Sequence, residues 1–144
     1  MKSLISDVLP VHSLVPILGN TTAEGTGLAV DLQNFEGALM LACLGDSGDT
    51  LSGSLYWTVQ FQHSDTTTAG DFVDIPAADL KGGANAIVID APAEDQIVVA
   101  RSYVGAKRYV RILFTQTGTH TNGTPIAGVV VKCFPRHAPQ TQAI

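Results

Sequence analysis

The sequence predicts an all-β protein: a single-domain antiparallel β-sandwich of the jelly-roll type, with an extended N-terminal arm. Three observations carry this expectation. Residues 55–63 alternate apolar and polar side chains without a break, as a strand with one face in a core must. Residues 107–117 and 125–134 are rich in β-branched and aromatic side chains, which suit a pleated, half-buried surface. Turn residues separate about eight such runs, and apolar spacing of helical period is missing over any length.

A chain of 144 residues suits one domain and can bury a core without staples. Only 15% of residues are charged, which excludes a disordered, self-repelling chain. The net charge of −5 argues against general nucleic-acid binding. The cations cluster late, at Arg101, Lys107, Arg108, Arg111, Lys132 and Arg136. A basic patch on an acidic protein suits an acidic protein surface. No apolar run reaches the ~20 residues of a membrane helix, and the first residues lack a signal-peptide core. The expected site of synthesis is the cytoplasm.

Taken in order, residues 1–20 read as an arm and 21–144 as the sandwich. Nine aliphatic side chains line the arm, but Pro10 and Pro16 interrupt any helix. Such a segment must lie against its own domain or a neighbouring subunit. In residues 27–35, Leu28, Val30 and Leu32 alternate with Ala29, Asp31 and Gln33, predicting a strand. Residues 38–44 form a continuous apolar run, which predicts a strand covered on both faces. In residues 55–63, Trp57, Val59 and Phe61 face inward, and Trp57 is the expected core centre. His63 continues that register as a satisfied, partly buried histidine. Short strands are expected near residues 72–75, 86–91 and 96–104. The closing stretch reads as a β-hairpin, its two long strands joined by a polar turn that ends in Asn122-Gly123. Val110, Ile112 and Phe114 are its expected core residues. Cys43 and Cys133 sit in apolar runs and are expected as packed, reduced thiols.

The same closing stretch carries a resemblance. Gly105-Ala106-Lys107-Arg108-Tyr109-Val110-Arg111, then Thr117-Gly118-Thr119, then a valine-rich strand ending near Pro135, is similar to small capsid proteins of tailed bacteriophages. It resembles in particular the capsid cement (decoration) proteins of Bordetella-type podophages and their prophage relatives. A second similar segment runs from Val59-Gln60-Phe61-Gln62-His63-Ser64-Asp65 to Gly70-Asp71-Phe72-Val73-Asp74-Ile75-Pro76. The resemblance implies a virion structural protein on the capsid exterior, bound to the major capsid protein. It also implies self-association, as a homodimer or alternatively a trimer.

Catalytic chemistry has little to stand on in these residues. His12, His63, His120 and His137 are scattered, and no Gly-x-Ser-x-Gly or phosphate loop occurs. Asp65, Asp71 and Asp74 read as turn formers, and the Gly45–Asp49 loop lacks the ligand order of a calcium loop. No enzyme activity, cofactor, metal, nucleic acid or membrane is therefore expected. The candidate partner contacts are Lys107, Arg108, Arg111, Arg136 and an exposed His120, whose other role would be bonding turn backbone. The alternative function is a carbohydrate- or receptor-binding jelly-roll module of a virion head fibre. Its sugar platform would draw on Tyr56, Tyr103 and Tyr109, because Trp57 reads inward.

Overall fold

The computed structural model describes residues 4–20 and 25–137. Among them, eleven strands form two antiparallel sheets and helix is confined to one short 3-10 turn at Ala69–Asp71. No helix there is long and apolar enough to cross a membrane. The protein is an all-β sandwich.

The first sheet contains β1 (Val8–Gly19), β4 (Phe35–Leu44), β7 (Leu80–Lys81), β9 (Val98–Tyr103) and β11 (Thr124–Pro135), in the order β1-β11-β4-β9-β7. The second is built on β5 (Tyr56–Ser64) and β10 (Tyr109–Thr117), paired along their whole length from Tyr109↔Ser64 to Thr117↔Tyr56. The short strands β2 (Gly25–Thr26) and β3 (Val30–Asp31) flank β10, while β6 (Val73–Asp74) and β8 (Ile87–Ile89) flank β5. Alternation supplies the core. Trp57, Val59, Phe61, Val110, Ile112 and Phe114 from the second sheet meet Met40, Ala42, Val130 and Ile126 from the first, all at 0–2% exposure.

The closing stretch is not a hairpin. β10 and β11 lie in opposite sheets, and residues 118–123 carry the chain across one end of the sandwich. The Asn-Gly pair serves that crossing. Asp49 accepts the backbone N–H groups of Asn122 and Gly123 at 3.0 and 2.9 Å, and Gly123 takes φ 81°. A tight hairpin turn has no such tether to a distant loop.

The arm proves to be largely an element of the sandwich. Val8–Gly19 pairs with β11 as an edge strand, with register shifts between His12 and Leu14 and between Leu14 and Ile17. Its prolines and shifts blunt that edge against further strand addition. The first shift turns Ser13 into the interior at 0% exposure. There the Ser13 hydroxyl donates to the Leu28 carbonyl at 3.2 Å and accepts the Ile112 N–H at 3.0 Å. Gly27 fits beneath because a Cβ there would lie 2.2 Å from the Ile112 oxygen. Ser13 thus stitches the two sheets at one corner.

This stitch also breaks the strand expected over residues 27–35. Gly27 and Leu28 spend their N–H groups on Ile112 and Ser13, leaving β2 and β3 as two-residue pieces. Val30 and Leu32 are buried, but Leu28 is 67% exposed. The run at 38–44 is likewise covered on one face only. Ala38, Met40, Ala42 and Leu44 enter the core, whereas Leu39, Leu41 and Cys43 point outward.

Candidate functional site

The candidate contact residues do not form one site. Lys107, Arg108 and Arg136 line an open hollow of about 540 Å³ at one end of the sandwich, with Glu36 and Tyr103. It forms where the β3–β4 and β9–β10 connections approach the end of β11. Each cation already has an acidic neighbour. Lys107 pairs with Asp65, Arg108 with Asp31 at 2.7 Å, and Arg136 with Glu36 at 3.6 Å. Arg108 donates from Nε and one terminal nitrogen to the two Asp31 oxygens. The Arg108 hydrogen bonds hold the Asp31 carboxyl below its usual range. Such exposed pairs contribute only ~0–1 kcal/mol each. The hollow is thus lined by three cations and Glu36, with Asp31 and Asp65 compensating Arg108 and Lys107 from beside it.

Beneath the hollow, the Tyr103 hydroxyl accepts the Lys107 N–H at 2.9 Å and lies 3.1 Å from His63 Nδ1. Burial pushes Tyr103 up to about 12 and holds His63 below its ordinary value. His63 is therefore a buried, neutral support for the β9–β10 connection.

Arg111 stands apart on the outer face of β10. Its guanidinium lies 4.2 Å over the Phe72 ring and donates to Gln62 at 2.9 Å. Burial lowers its proton affinity. Packing against Phe72 ties this side chain into the fold.

His120 corrects the expectation of an exposed contact. It is fully buried at the opposite end of the sandwich, its ring 4.8 Å from the Trp57 ring. Its Nε2 lies 3.3 and 3.2 Å from the carbonyls of Tyr56 and Thr117. The tilted ring contact with Trp57 holds the polar loop over the core end. Trp57 in turn donates from Nε1 to Thr124 Oγ1 at 3.0 Å, and Thr124 donates to Ser47. Both Trp57 and Tyr103 are withdrawn from any surface role, leaving Tyr56 and Tyr109 half-buried.

The two outer faces differ in chemistry. Outside β5 and β10 lie Thr58, Gln60, Gln62, Tyr109, Arg111, Thr115 and one aliphatic residue, Leu113, with Asp74 accepting from both glutamines. The first sheet presents the reverse. Leu39, Leu41 and Cys43 of β4 are matched by Val131, Val129 and Ala127 of β11 and by Ser102, Ala100 and Val98 of β9. Pro10 and His12 continue the rows onto β1. None of these is Lys, Arg, Asp or Glu, and Lys132 turns inward to the Asp31 carbonyl. At the end of this face, the Phe134 ring covers Gly37, lying 3.6 Å from where a Cβ would stand. Phe134 is 72% exposed and held at φ 57°, a backbone conformation costing about 1–3 kcal/mol for a bulky residue.

Sequence reading missed this apolar face, although its signal was present. The apolar run at 38–44 and the nearly apolar run at 125–134, broken by Lys132, supply apolar side chains to both sides of their strands. Among the described residues, no group of three or more His, Cys, Asp or Glu is placed to hold a metal ion. A scan against protein-family models and a search of curated proteins find no match to this chain.

Proposed function

We propose that this chain is a phage virion structural protein that binds the outside of an assembled capsid and cements adjacent major capsid subunits. It acts without catalysis, as a homo-oligomer, and a dimer is the simplest form. One observation carries the reading: the segments that resemble cement proteins meet at one corner. Residues 59–65 in β5 and 105–111 at the start of β10 lie side by side, with Val110 opposite His63 and Arg111 opposite Gln62. β6, from the later part of the second similar segment, pairs onto the same end of β5. The hollow lined by Lys107, Arg108 and Arg136 opens beside this corner. The strand order supports the reading further. Leaving aside β7 and merging the short flanking strands, one sheet reads first-eighth-third-sixth and the other second-seventh-fourth-fifth. With the strands grouped in this way, the order matches the doubly wound Greek key of a jelly roll and so supports that reading.

The mechanism is linkage. A clamp that binds the mature lattice more tightly than separated subunits stabilises the lattice by that difference, and many weak contacts on one shell act together. The head-fibre alternative draws less support, because a sugar platform needs exposed rings and Trp57 and Tyr103 are buried. The test is to add purified protein to capsids that lack it and follow their heat resistance. Cementing predicts a higher disruption temperature that saturates with added protein. Capsids that bind none of it would overturn the proposal.

A further inference from the structure

We infer that the outer face of β1-β11-β4-β9 is the interface with a second copy of this chain, packed face to face about a two-fold axis and anchored by Phe134. This deepens the dimer in the proposed function by assigning its surface. The argument starts from the strands themselves. Strands with apolar side chains on both faces belong in sheets covered on both faces. In β4 and β11 the inner face meets the core, while Leu41, Val129 and Val131 on the outer face meet none of the chain's other core residues.

The size fits a stable contact. Four strands about 4.8 Å apart and about seven residues long at about 3.3 Å each give about 450 Å² in projection. Accessible area exceeds projected area, and Phe134 extends the patch. The projected figure alone equals the ~300–600 Å² largest patch of a typical monomer, and the added accessible area carries it toward the ~600–1,000 Å² per partner of standard interfaces.

Chemistry selects the occupant. The central rows carry no charge for an acidic or basic partner to read, with Lys81 beside Ser102 and Asp7 and Glu36 near Phe134 confined to the margins, whereas interfaces between permanent copies are the most apolar kind. A two-fold contact asks only that the face complement itself, which uncharged aliphatic rows do. The direction of approach is also fixed. Pro10, Pro16 and the register shifts blunt the β1 edge, and β7 at the other edge is two residues long, so a second copy docks on the face rather than extending the sheet. An aromatic held exposed in a left-handed backbone conformation is the expected anchor. Arg111, on the opposite sheet, remains outside this interface for another partner, while Glu36 and Arg136 border its Phe134 end.

The test is sedimentation of the full chain over a range of concentrations, without capsids. A dimer is expected, with Phe134→Ala weakening self-association by about tenfold or more. Leu41→Glu should give a folded monomer, and Thr115→Glu, on the opposite face, should leave the dimer intact. Should Leu41→Glu fail to fold, alkylation of the wild-type thiols decides. Cys43 and Cys133 lie on this face, so labelling should slow as protein concentration rises into the dimer range. A monomeric or trimeric wild type, a dimer indifferent to Phe134→Ala and a folded Leu41→Glu, or labelling independent of concentration would overturn the assignment. A monomer that still cements capsids would reject this interface alone; a dimer that ignores capsids would reject the cement reading alone.

Discussion

Replacing Ser13 by Ala removes one oxygen that serves two strands. The Ile112 N–H loses its acceptor and the Leu28 carbonyl loses a donor. Ser13 is at 0% exposure, and the Gly27 backbone closes over its hydroxyl, so water has no ready way to replace it. A buried donor left without a partner costs about 1–3 kcal/mol, while the lost volume is too small to add a cavity cost. For a chain of this size each kcal/mol moves the melting temperature by about 4 °C, giving a fall of about 4–12 °C. Urea unfolding at fixed protein concentration, with oligomer state held constant, gives the free-energy change directly. Ser54→Ala is the control, because that exposed side chain bonds only Ser52; it should stay within about 0.5 kcal/mol of wild type. A Ser13→Ala protein equally close to wild type would refute the stitch between the sheets.

Three further outcomes follow from the core and its titrating groups. Trp57 should emit at short wavelength and shift red on unfolding, and Trp57→Ala should cost about 3–5 kcal/mol; red emission from native protein would place the ring in water. His63 has its proton affinity lowered, chiefly by burial, so its contribution is complete above its ordinary value of 6.5 and is lost as pH falls below it. The Asp31 and Asp49 carboxyls, held low by Arg108 and by the Gly123 N–H, lose theirs only below about 3.8. Tyr103, raised from 10.0 to about 12, loses its contribution as pH climbs through that interval. Urea midpoints should therefore fall from pH 7 to 5 with a slope that His63→Gln reduces; a midpoint that rises on acidification contradicts this. Cys43 and Cys133 should stay reduced within one chain, because Cys43 lies opposite Ala127, six residues from Cys133 along β11, or about 20 Å. That is too far to bridge. An intrachain disulfide found by mass spectrometry would reject the register.

The strands most legible in the sequence were those with one face in the core. Residues 55–63 announced β5, and the inward Trp57, Val59 and Phe61 are all at 0% exposure. Alternation cannot say which strand lies beside which. β10 and β11 are consecutive, long and joined through Asn-Gly, so local pattern reads them as a hairpin. Their separation into two sheets is held by Asp49, 73 residues before Asn122, and by the tilted contact of His120 with Trp57. Long-range tethers of this kind leave no local trace. The strand lost at residues 27–35 has the same cause, since Ser13 and Ile112 take the N–H groups that a continuous ladder would use. Of the candidate contacts, Lys107, Arg108 and Arg136 converge on one hollow, a convergence that spacing alone could not give Arg136. His120 misled because a Thr-rich turn reads as exposed whatever lies beneath it.

The central claim is that this sandwich docks on capsids through its basic end. Arg111 makes a poor probe, since it is packed against Phe72, whereas Lys107 and Arg136 have side chains 40% and 65% exposed. The decisive measurement is co-sedimentation of the full chain with capsids that lack it, at low and high salt. The account predicts that wild type binds, more weakly at high salt. Lys107→Ser alone should change little, while Lys107→Ser with Arg136→Ser should bind measurably less at low salt and keep the wild-type melting temperature to within a few degrees. Binding by the double variant equal to wild type would remove the basic end from the interface, and wild-type protein left wholly in the supernatant would contradict the account at its root.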